Sequence, residues 1–383
     1  MSLFSIIYYL LLSIVYILAL PYLIFKSKKP KYKDAIPAKF FLKNNDKFSS
    51  DGVWFHSCSM GETKTIKPLV QAFEDSKVSV ITNTGFEEAN KFCKEVRYLP
   101  FEIFLPFWVK KQKVLVVMEA ELWYMLFLCA KSKGAKTLLI NARISDKSYK
   151  SYQKFSFLYK RIFKNIDKVF AQSEVDKKRL EELGAKNIEV IGNIKLAQLP
   201  KTSLGLSKLN QTVICAASTH KNEEELILKS FDKSFGKLLI VPRHPERFEE
   251  VDLLIREFIK HKDLSYHKYT SQEDFNSDII LIDKMGILND IYSISDVVIL
   301  GGAFEKIGGH NPVEPAYFGC KIISGKNIFN QYSLFECIEN YYLIEDSELK
   351  QYLEKKDELN KPVLQKTGSF DPIIKEIKNG RIW

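Results

Sequence analysis

The hydrophobic pattern opens with one long uncharged run and then breaks into short apolar blocks set among amphipathic stretches. Ser2 to Phe25 (SLFSIIYYLLLSIVYILALPYLIF) carries no charge and as a helix extends ~36 Å, enough to cross a bilayer's hydrocarbon core. It predicts an N-terminal membrane anchor over 1–25. The basic leader and short apolar core of a secretory signal are both missing. A spanning or deeply inserted helix is expected ahead of a buried core helix. Pro21 and the tyrosines favour a third reading, a helix lying in the interface.

From Gly52 onward the apolar blocks alternate with helical periodicity, the signature of a parallel sheet covered on both faces. Strands are predicted at Val53–His56, Val78–Thr82, Val114–Met118, Thr137–Asn141, Lys168–Ala171 and Glu189–Ile191. Helices are predicted at Glu62–Phe73, from the second strand through Arg97, at Leu122–Ala130, and as one long basic aromatic helix from Lys147 to Phe163. The polar stretch 199–210 (LPKTSLGLSKLN) reads as an interdomain linker. Beyond it the pattern repeats, with strands at Thr212–Ala217, Lys237–Val241, Asp278–Ile282, Val297–Leu300 and Lys321–Ser324. The expectation is an α/β chain with two Rossmann-like domains, 51–198 and 211–340, facing a cleft where ligands bind. A basic juxtamembrane segment (26–50) precedes them, and a lysine-rich helical tail (341–383) returns to the first domain.

Length and charge sharpen this picture. At 383 residues the chain is too long for one comfortable core. Of its formal net charge of +10, the stretch 26–47 supplies +6, from eight lysines and two aspartates. The basic excess sits at the membrane exit and points to an anionic membrane surface rather than to nucleic acid. The positive-inside rule then puts the domains in the cytoplasm. Six scattered cysteines, none in a Cys-x-x-Cys pair, read as reduced thiols and argue against structural zinc or a disulfide framework.

The chemistry collects at predicted strand ends. Ser59-x-x-Glu62 follows the first strand as a formal capping box, and Glu62 is equally placed to act as a general base. Thr82 reads as a plain cap. Glu119 and Glu121 are expected on one side of an extended segment, to hold substrate hydroxyls or position a base. In the second half, Ser218-Thr219-His220, Asn222-x-x-Glu225 as a cap, Arg243 and His244 between two prolines, and Met285-Gly286 all follow strands. Arg243 reads as a phosphate fork and Arg247 as solvated surface. Gly301 to Pro315 (GGAFEKIGGHNPVEP) presents two glycine pairs with bare amides, Asn311 as N-cap and Pro312 at the first helical position. That is an anion-binding turn, with Glu314 either closing its own helix or reading a ligand. In the long basic helix, Lys147, Lys150, Lys154, Lys160, Arg161 and Lys164 alternate with aromatic residues expected to point inward, the alternative being a surface for lipid phosphates or acyl chains.

Taken together, Trp54-Phe-His56 with Ser59-Met-Gly-Glu62, Glu119-Ala-Glu121-Leu-Trp123, Asn141-Ala-Arg143-Ile-Ser145, Ala217-Ser-Thr-His220, Val241-Pro-Arg-His-Pro-Glu-Arg247 and Gly308-Gly-His-Asn-Pro-Val-Glu-Pro315 resemble the Kdo (3-deoxy-D-manno-oct-2-ulosonic acid) transferases of lipopolysaccharide biosynthesis. The resemblance implies a GT-B fold and an inverting transfer from CMP-Kdo to a tetraacyl lipid A precursor at the cytoplasmic face of the inner membrane. It implies Glu62 as base, with Ser59, Gly61, Glu119, Glu121 and Arg143 on the acceptor side. Ser218, Thr219, Arg243, His244, Met285, Gly286, Gly308, Gly309, His310, Asn311 and Glu314 are then expected to hold the nucleotide. No Asp-x-Asp motif offers itself for a divalent ion, so metal-independent transfer without a cofactor is expected. The chain departs from the family pattern at Ala120, Tyr124 (commonly proline), Asn222 (commonly glycine), Lys284 and Ile287. Other readings are a different GT-B enzyme, namely a UDP-sugar transferase or epimerase, and a membrane-tethered scaffold without catalysis.

Overall fold

The computed structural model of the protein describes residues 2–197 and 200–380. The chain divides into two compact units, Met1–Ala197 with Lys366–Trp383, and Gln198–Gln365. Each is built on a seven-stranded, all-parallel sheet.

In unit 1 the strands are β1 (Val53–Ser57), β2 (Ser76–Val80), β3 (Val96–Tyr98), β4 (Val114–Met118), β5 (Lys136–Ala142), β6 (Lys168–Ala171) and β7 (Ile188–Val190), in the order β3-β2-β1-β4-β5-β6-β7. The winding reverses between β1 and β4, and the carboxyl ends of those two strands flank the crevice where doubly wound sheets bind ligands. Both strands are buried throughout, as a central parallel strand must be. The predicted helix through Arg97 stops at Asn90, and β3 follows. Three residues at a sheet edge are too few to show a period.

Helix α1 (Leu3–Ser27) is long and apolar enough to cross a membrane, yet one face of it is docked along unit 1. Ser5 bonds the Tyr124 hydroxyl at 2.8 Å, Tyr8 donates to the buried Glu102 at 2.7 Å, and Tyr16 donates to the Phe40 carbonyl at 2.6 Å. Phe4 and Tyr8 pack edge-on against Tyr124, which explains a tyrosine where a proline is common. The opposite face carries Leu3, Ile6, Leu10, Leu11, Ile14 and Leu18 bare to solvent. The juxtamembrane segment also belongs partly to the fold. Helix α2 (Ala35–Phe41) buries Ala35, Ile36 and Ala38, and Asn45 ties its end to Tyr98.

The predicted helix from Lys147 to Phe163 is two helices, Asp146–Lys154 and Ser156–Phe163, broken at Phe155. Tyr152 stacks on Tyr159 while Phe155 and Phe157 are exposed, so the aromatics do not all turn inward. The Lys147 side chain lies outside the described residues.

Unit 2 contains β8 (Val213–Thr219), β9 (Lys237–Pro242), β10 (Tyr266–Lys268), β11 (Ile279–Leu281), β12 (Val297–Leu300), β13 (Lys321–Gly325), β14 (Ile338–Glu339), β15 (Tyr341–Ile344) and β16 (Val363–Leu364). Its main sheet runs β10-β11-β9-β8-β12-β13-β15, reversing between β8 and β12, while β14 and β16 pair separately. Two expectations are corrected here. The expected linker is laid onto unit 2, with Leu206 and Leu209 on its core and Asp290 accepting from Ser203 and Leu204; Leu199, its first residue, lies outside the described residues. The stretch 341–383 is not one tail. Its start is the edge strand β15, and from Lys366 the chain rejoins unit 1, where helix Asp371–Gly380 buries Ile373 and Ile377.

Candidate functional site

Each unit gathers its chemistry at the reversal point of its own sheet. In unit 1, β1 ends at Ser57 and helix α3 (Met60–Gln71) begins three residues later. Ser59 caps it, its Oγ accepting from the Glu62 amide at 3.3 Å. The Glu62 carboxylate folds back to accept from the Cys58 amide (2.8 Å) and the Ser59 hydroxyl (3.0 Å). The capping contacts therefore exist, and something else sets Glu62 apart. Burial, then the nearby charges of Glu119 and Glu121, push its carboxyl up to about 7 against the pull of those two hydrogen bonds. A cap alone gains nothing from a carboxyl that is half protonated at neutral pH, whereas a general base is most effective there. Thr82 braces the turn, donating to the Cys58 carbonyl and capping helix α4 (Asn83–Asn90).

The two acids after β4 do not share a side. Glu119 takes a left-handed conformation (φ 56°), which breaks the extended segment. Its carboxylate turns to Lys195 at 2.5 Å and to Asn141. Glu121 turns to the Trp123 indole at 2.6 Å and lies 3.7 Å from His56 Nε2. Burial alone would raise the Glu121 carboxyl, but His56, Trp123 and Cys58 outweigh it and hold it low. Glu62 and Glu121 are thus shifted in opposite directions. Gly61 sits exposed on the first turn of α3, and Arg143 follows β5 half-buried. Sequence reasoning missed Lys39. Its ammonium donates to the Ile81 carbonyl at 3.1 Å, and burial lowers its pKa against the opposing pull of Cys58 and Glu121, but its place in a lysine-rich run read as lipid-facing.

In unit 2 the organiser is Glu223, which the sequence reading passed over for a cap by Asn222 and Glu225. Asn222 makes no cap; it sits at φ 74°, a conformation that explains the glycine common there. The buried Glu223 carboxylate instead accepts from the amides of His220 (2.9 Å), Gly302 (2.8 Å), Phe304 (3.2 Å) and Glu305 (3.5 Å), tying the end of β8 to the loop after β12. The glycine amides are accordingly spent. Gly301 donates to Ala217, and Gly308 and Gly309 both donate to the Gly302 carbonyl, at 3.0 and 2.7 Å. They are not bare donors for an anion, as the sequence suggested. Gly302 has no room for a side chain, since a Cβ there would come 2.8 Å from the His310 ring. The helix that follows, Val313–Tyr317, is only five residues, and its start is held by Asn311 Oδ1 accepting from the Val313 amide. Glu314 accepts from Asn311 Nδ2 at 3.0 Å; burial raises its carboxyl, opposed by Asn311 and by the charge of Arg243.

This loop brings His310 against His220, with Nε2 atoms 2.8 Å apart and rings 5.1 Å between centroids, and His220 meets His244 edge-on. Burial, His220 and Arg243 lower His310 to about 4; burial and His244 lower His220. Arg243 itself is exposed, and its side chain has no ion pair among the described residues. Ser218 (φ 55°) and Thr219 are buried at the end of β8, and Thr219 Oγ1 has no hydrogen-bond partner among the described residues. Arg247, expected in solvent, forms a two-toothed pair with the buried Glu224 at 2.6 and 3.1 Å. Met285 and Gly286 form an exposed turn before helix Leu288–Ile294, without a described contact to the histidines.

Residues 31–198 match the family profile of 3-deoxy-D-manno-octulosonic-acid transferases. A Haemophilus influenzae 3-deoxy-D-manno-octulosonic acid transferase is 32% identical over 347 residues, covering 81% of this chain and 79% of that protein. A Fusobacterium nucleatum bifunctional glycosyltransferase/methyltransferase is 34% identical over 329 residues, 78% of this chain but only 51% of its own length. The crystal structure of a C-terminal CMP-Kdo binding domain from Acinetobacter baumannii aligns with 45% of this chain and 91% of its own at 24% identity, with a TM-score of 0.33.

Proposed function

Because the chain belongs to the 3-deoxy-D-manno-octulosonic-acid (Kdo) transferase family, we propose that it moves Kdo from CMP-Kdo to a lipid A precursor with inversion, using Glu62 as general base. The carrying observation is the Glu62 carboxyl at about 7 on the turn after β1. Ionised, it takes the proton of an acceptor sugar hydroxyl as that oxygen attacks the anomeric carbon of Kdo. Glu121, held ionised, and Glu119 keep the Glu62 proton affinity high enough for the task. CMP departs with its phosphate drawn to Arg243 and the histidine cluster, donors that take the place of a divalent ion. The open donors for that phosphate are these side chains rather than the amides of Gly308 and Gly309. Glu314 is placed to accept from the ribose hydroxyls, and Ser218, Thr219, Met285 and Gly286 belong to the nucleotide side. A transfer assay with CMP-Kdo and a lipid A precursor, scored by product mass, tests the whole reading; no product would refute it.

Nucleotide binding should take up protons. His310 and His220 are both held neutral by burial and neighbouring positive charge, and a phosphate beside them reverses that balance. Calorimetric CMP titrations near pH 6 in two buffers of different ionisation enthalpy should give different heats, and His310→Asn should shrink the difference. Equal heats in the intact chain would place the phosphate elsewhere.

The membrane side of the proposal is that the bare stripe of α1 enters the cytoplasmic leaflet of the inner membrane while its tyrosine face stays on unit 1. Arg161, on the helix that carries Phe157, lies 4.2 Å over the Phe4 ring of α1, and exposed Phe155 and Phe157 are assigned to the same lipid-facing side. Exposed Lys150 and Lys154 then face anionic headgroups. Lys150→Glu with Lys154→Glu should weaken binding of the intact chain to anionic vesicles and leave neutral vesicles unaffected. Unchanged binding to both would return these lysines to ordinary solvated surface.

A further inference from the structure

Unit 1 also holds an open pocket of about 490 Å³, lined by none of the residues discussed as catalytic. Its walls come from α2, from the segment after it, from the start of α4 and from β3. Lys33 and Lys43 bring two ammonium groups to it, neither with an ion pair among the described residues. Arg97 lines it too, but its guanidinium is already spent on the Asp46 and Val96 carbonyls. Phe86 and Tyr98, stacked on each other at 4.4 Å and 8°, add aromatic surface to the lining. Asn83 accepts from the Tyr98 hydroxyl at 3.0 Å, and the carboxylates of Asp34 and Glu87 add acceptors.

Two unpaired lysines suit a phosphate, and their charge must also outweigh the carboxylates of Asp34 and Glu87 in the same lining. Aromatic surface with amide and carboxylate acceptors suits the apolar face and hydroxyls of a sugar. A bare anion would gain nothing from the second set. The cavity is also joined to the base. Asn83 follows Thr82, Thr82 donates to the Cys58 carbonyl at 3.0 Å, and the Cys58 amide donates to Glu62. Lys39, on the same helix α2 that lines the cavity with Pro37 and Ala38, reaches the Ile81 carbonyl between them.

We propose that this cavity is an acceptor subsite that seats a phosphate-bearing sugar of the acceptor headgroup and so presents a neighbouring hydroxyl to Glu62. The inference rests on the acceptor-side role given to Glu62 above. It is tested on the intact chain in two arms. In the first, the KM of a phosphorylated lipid A precursor is compared with that of the same glycolipid after phosphatase treatment. The intact chain should prefer the phosphorylated form, and Lys33→Ala with Lys43→Ala should erase about 10-fold or more of that preference while the KM for CMP-Kdo holds. A preference that survives the double variant overturns the assignment. In the second arm, soluble N-acetylglucosamine 1-phosphate is titrated while amide signals of Asn83, Asn44 and Tyr98 are followed by NMR. Shifts there that inorganic phosphate alone does not reproduce support a sugar phosphate; no shifts, or the same shifts with phosphate alone, overturn it. This arm needs no turnover, so it stands even if the transfer assay fails. Both lysines are exposed, and matching melting temperatures confirm that the variant folds.

Discussion

Glu62→Gln is expected to lower transfer by ~10²–10⁴-fold while leaving CMP affinity intact. The amide keeps the shape of the carboxylate and one acceptor for the Cys58 amide, but it takes no proton at any working pH. In the unaltered chain, kcat/KM should rise with pH through about 7, because the base works only when ionised. The stability effect has the opposite sign. A carboxyl raised from its ordinary value near 4.5 to about 7 holds its proton in the folded chain across a window where the unfolded chain has lost it. Its contribution to stability is therefore greatest below 4.5, declines as pH climbs to about 7, and is absent above. At pH 8 the variant should melt no lower than the original, since it removes a buried charge. A lower melting temperature with near-normal turnover would make Glu62 a cap and nothing more.

Glu223→Ala should damage unit 2 more than any single change at the proposed ligand-facing residues. It strips the acceptor from the amides of His220, Gly302, Phe304 and Glu305, and each buried donor left unpaired costs roughly 1–3 kcal/mol. The loss does not stop at stability. Gly302, held by Glu223, is the carbonyl that fixes Gly308 and Gly309 and hence the approach of His310 to His220. CMP affinity should fall at least ~10-fold by the same scale of interaction. Glu223→Gln, which retains one acceptor oxygen, should fall between. Urea denaturation and CMP calorimetry on the three proteins give the ranking. CMP affinity unchanged in Glu223→Ala would detach the loop from the nucleotide.

The sheets were legible because central parallel strands are continuous apolar runs: Val114–Met118 and Val297–Leu300 have the same limits in sequence and structure. Strands β3 and β10 were not, being three-residue edges that each carry a charged side chain, and β15 was hidden because the stretch from Tyr341 read as a helical tail. At the sites, Glu62 and Arg243 announced themselves by standing just beyond strong strands. Glu223 did not, because what distinguishes it from Glu224 and Glu225 beside it is the set of amides it meets from a loop some eighty residues away. The spent amides of Gly308 and Gly309 show the converse. A glycine pair advertises room for a ligand, but the room here belongs to Asn330, whose Nδ2 would lie 2.1 Å from a Cβ at Gly308.

The docking of α1 has a practical side. A soluble form of such a protein is commonly sought by cutting away the apolar helix. Here the cut would strip Tyr8 from Glu102 and leave that carboxyl, already pushed up by burial, facing water beside bare Phe101, Phe104 and Tyr124. The shortened chain would exchange one apolar face for another and lose part of its own wall in doing so. Detergent around the complete helix, rather than truncation, is the condition under which unit 1 keeps its shape.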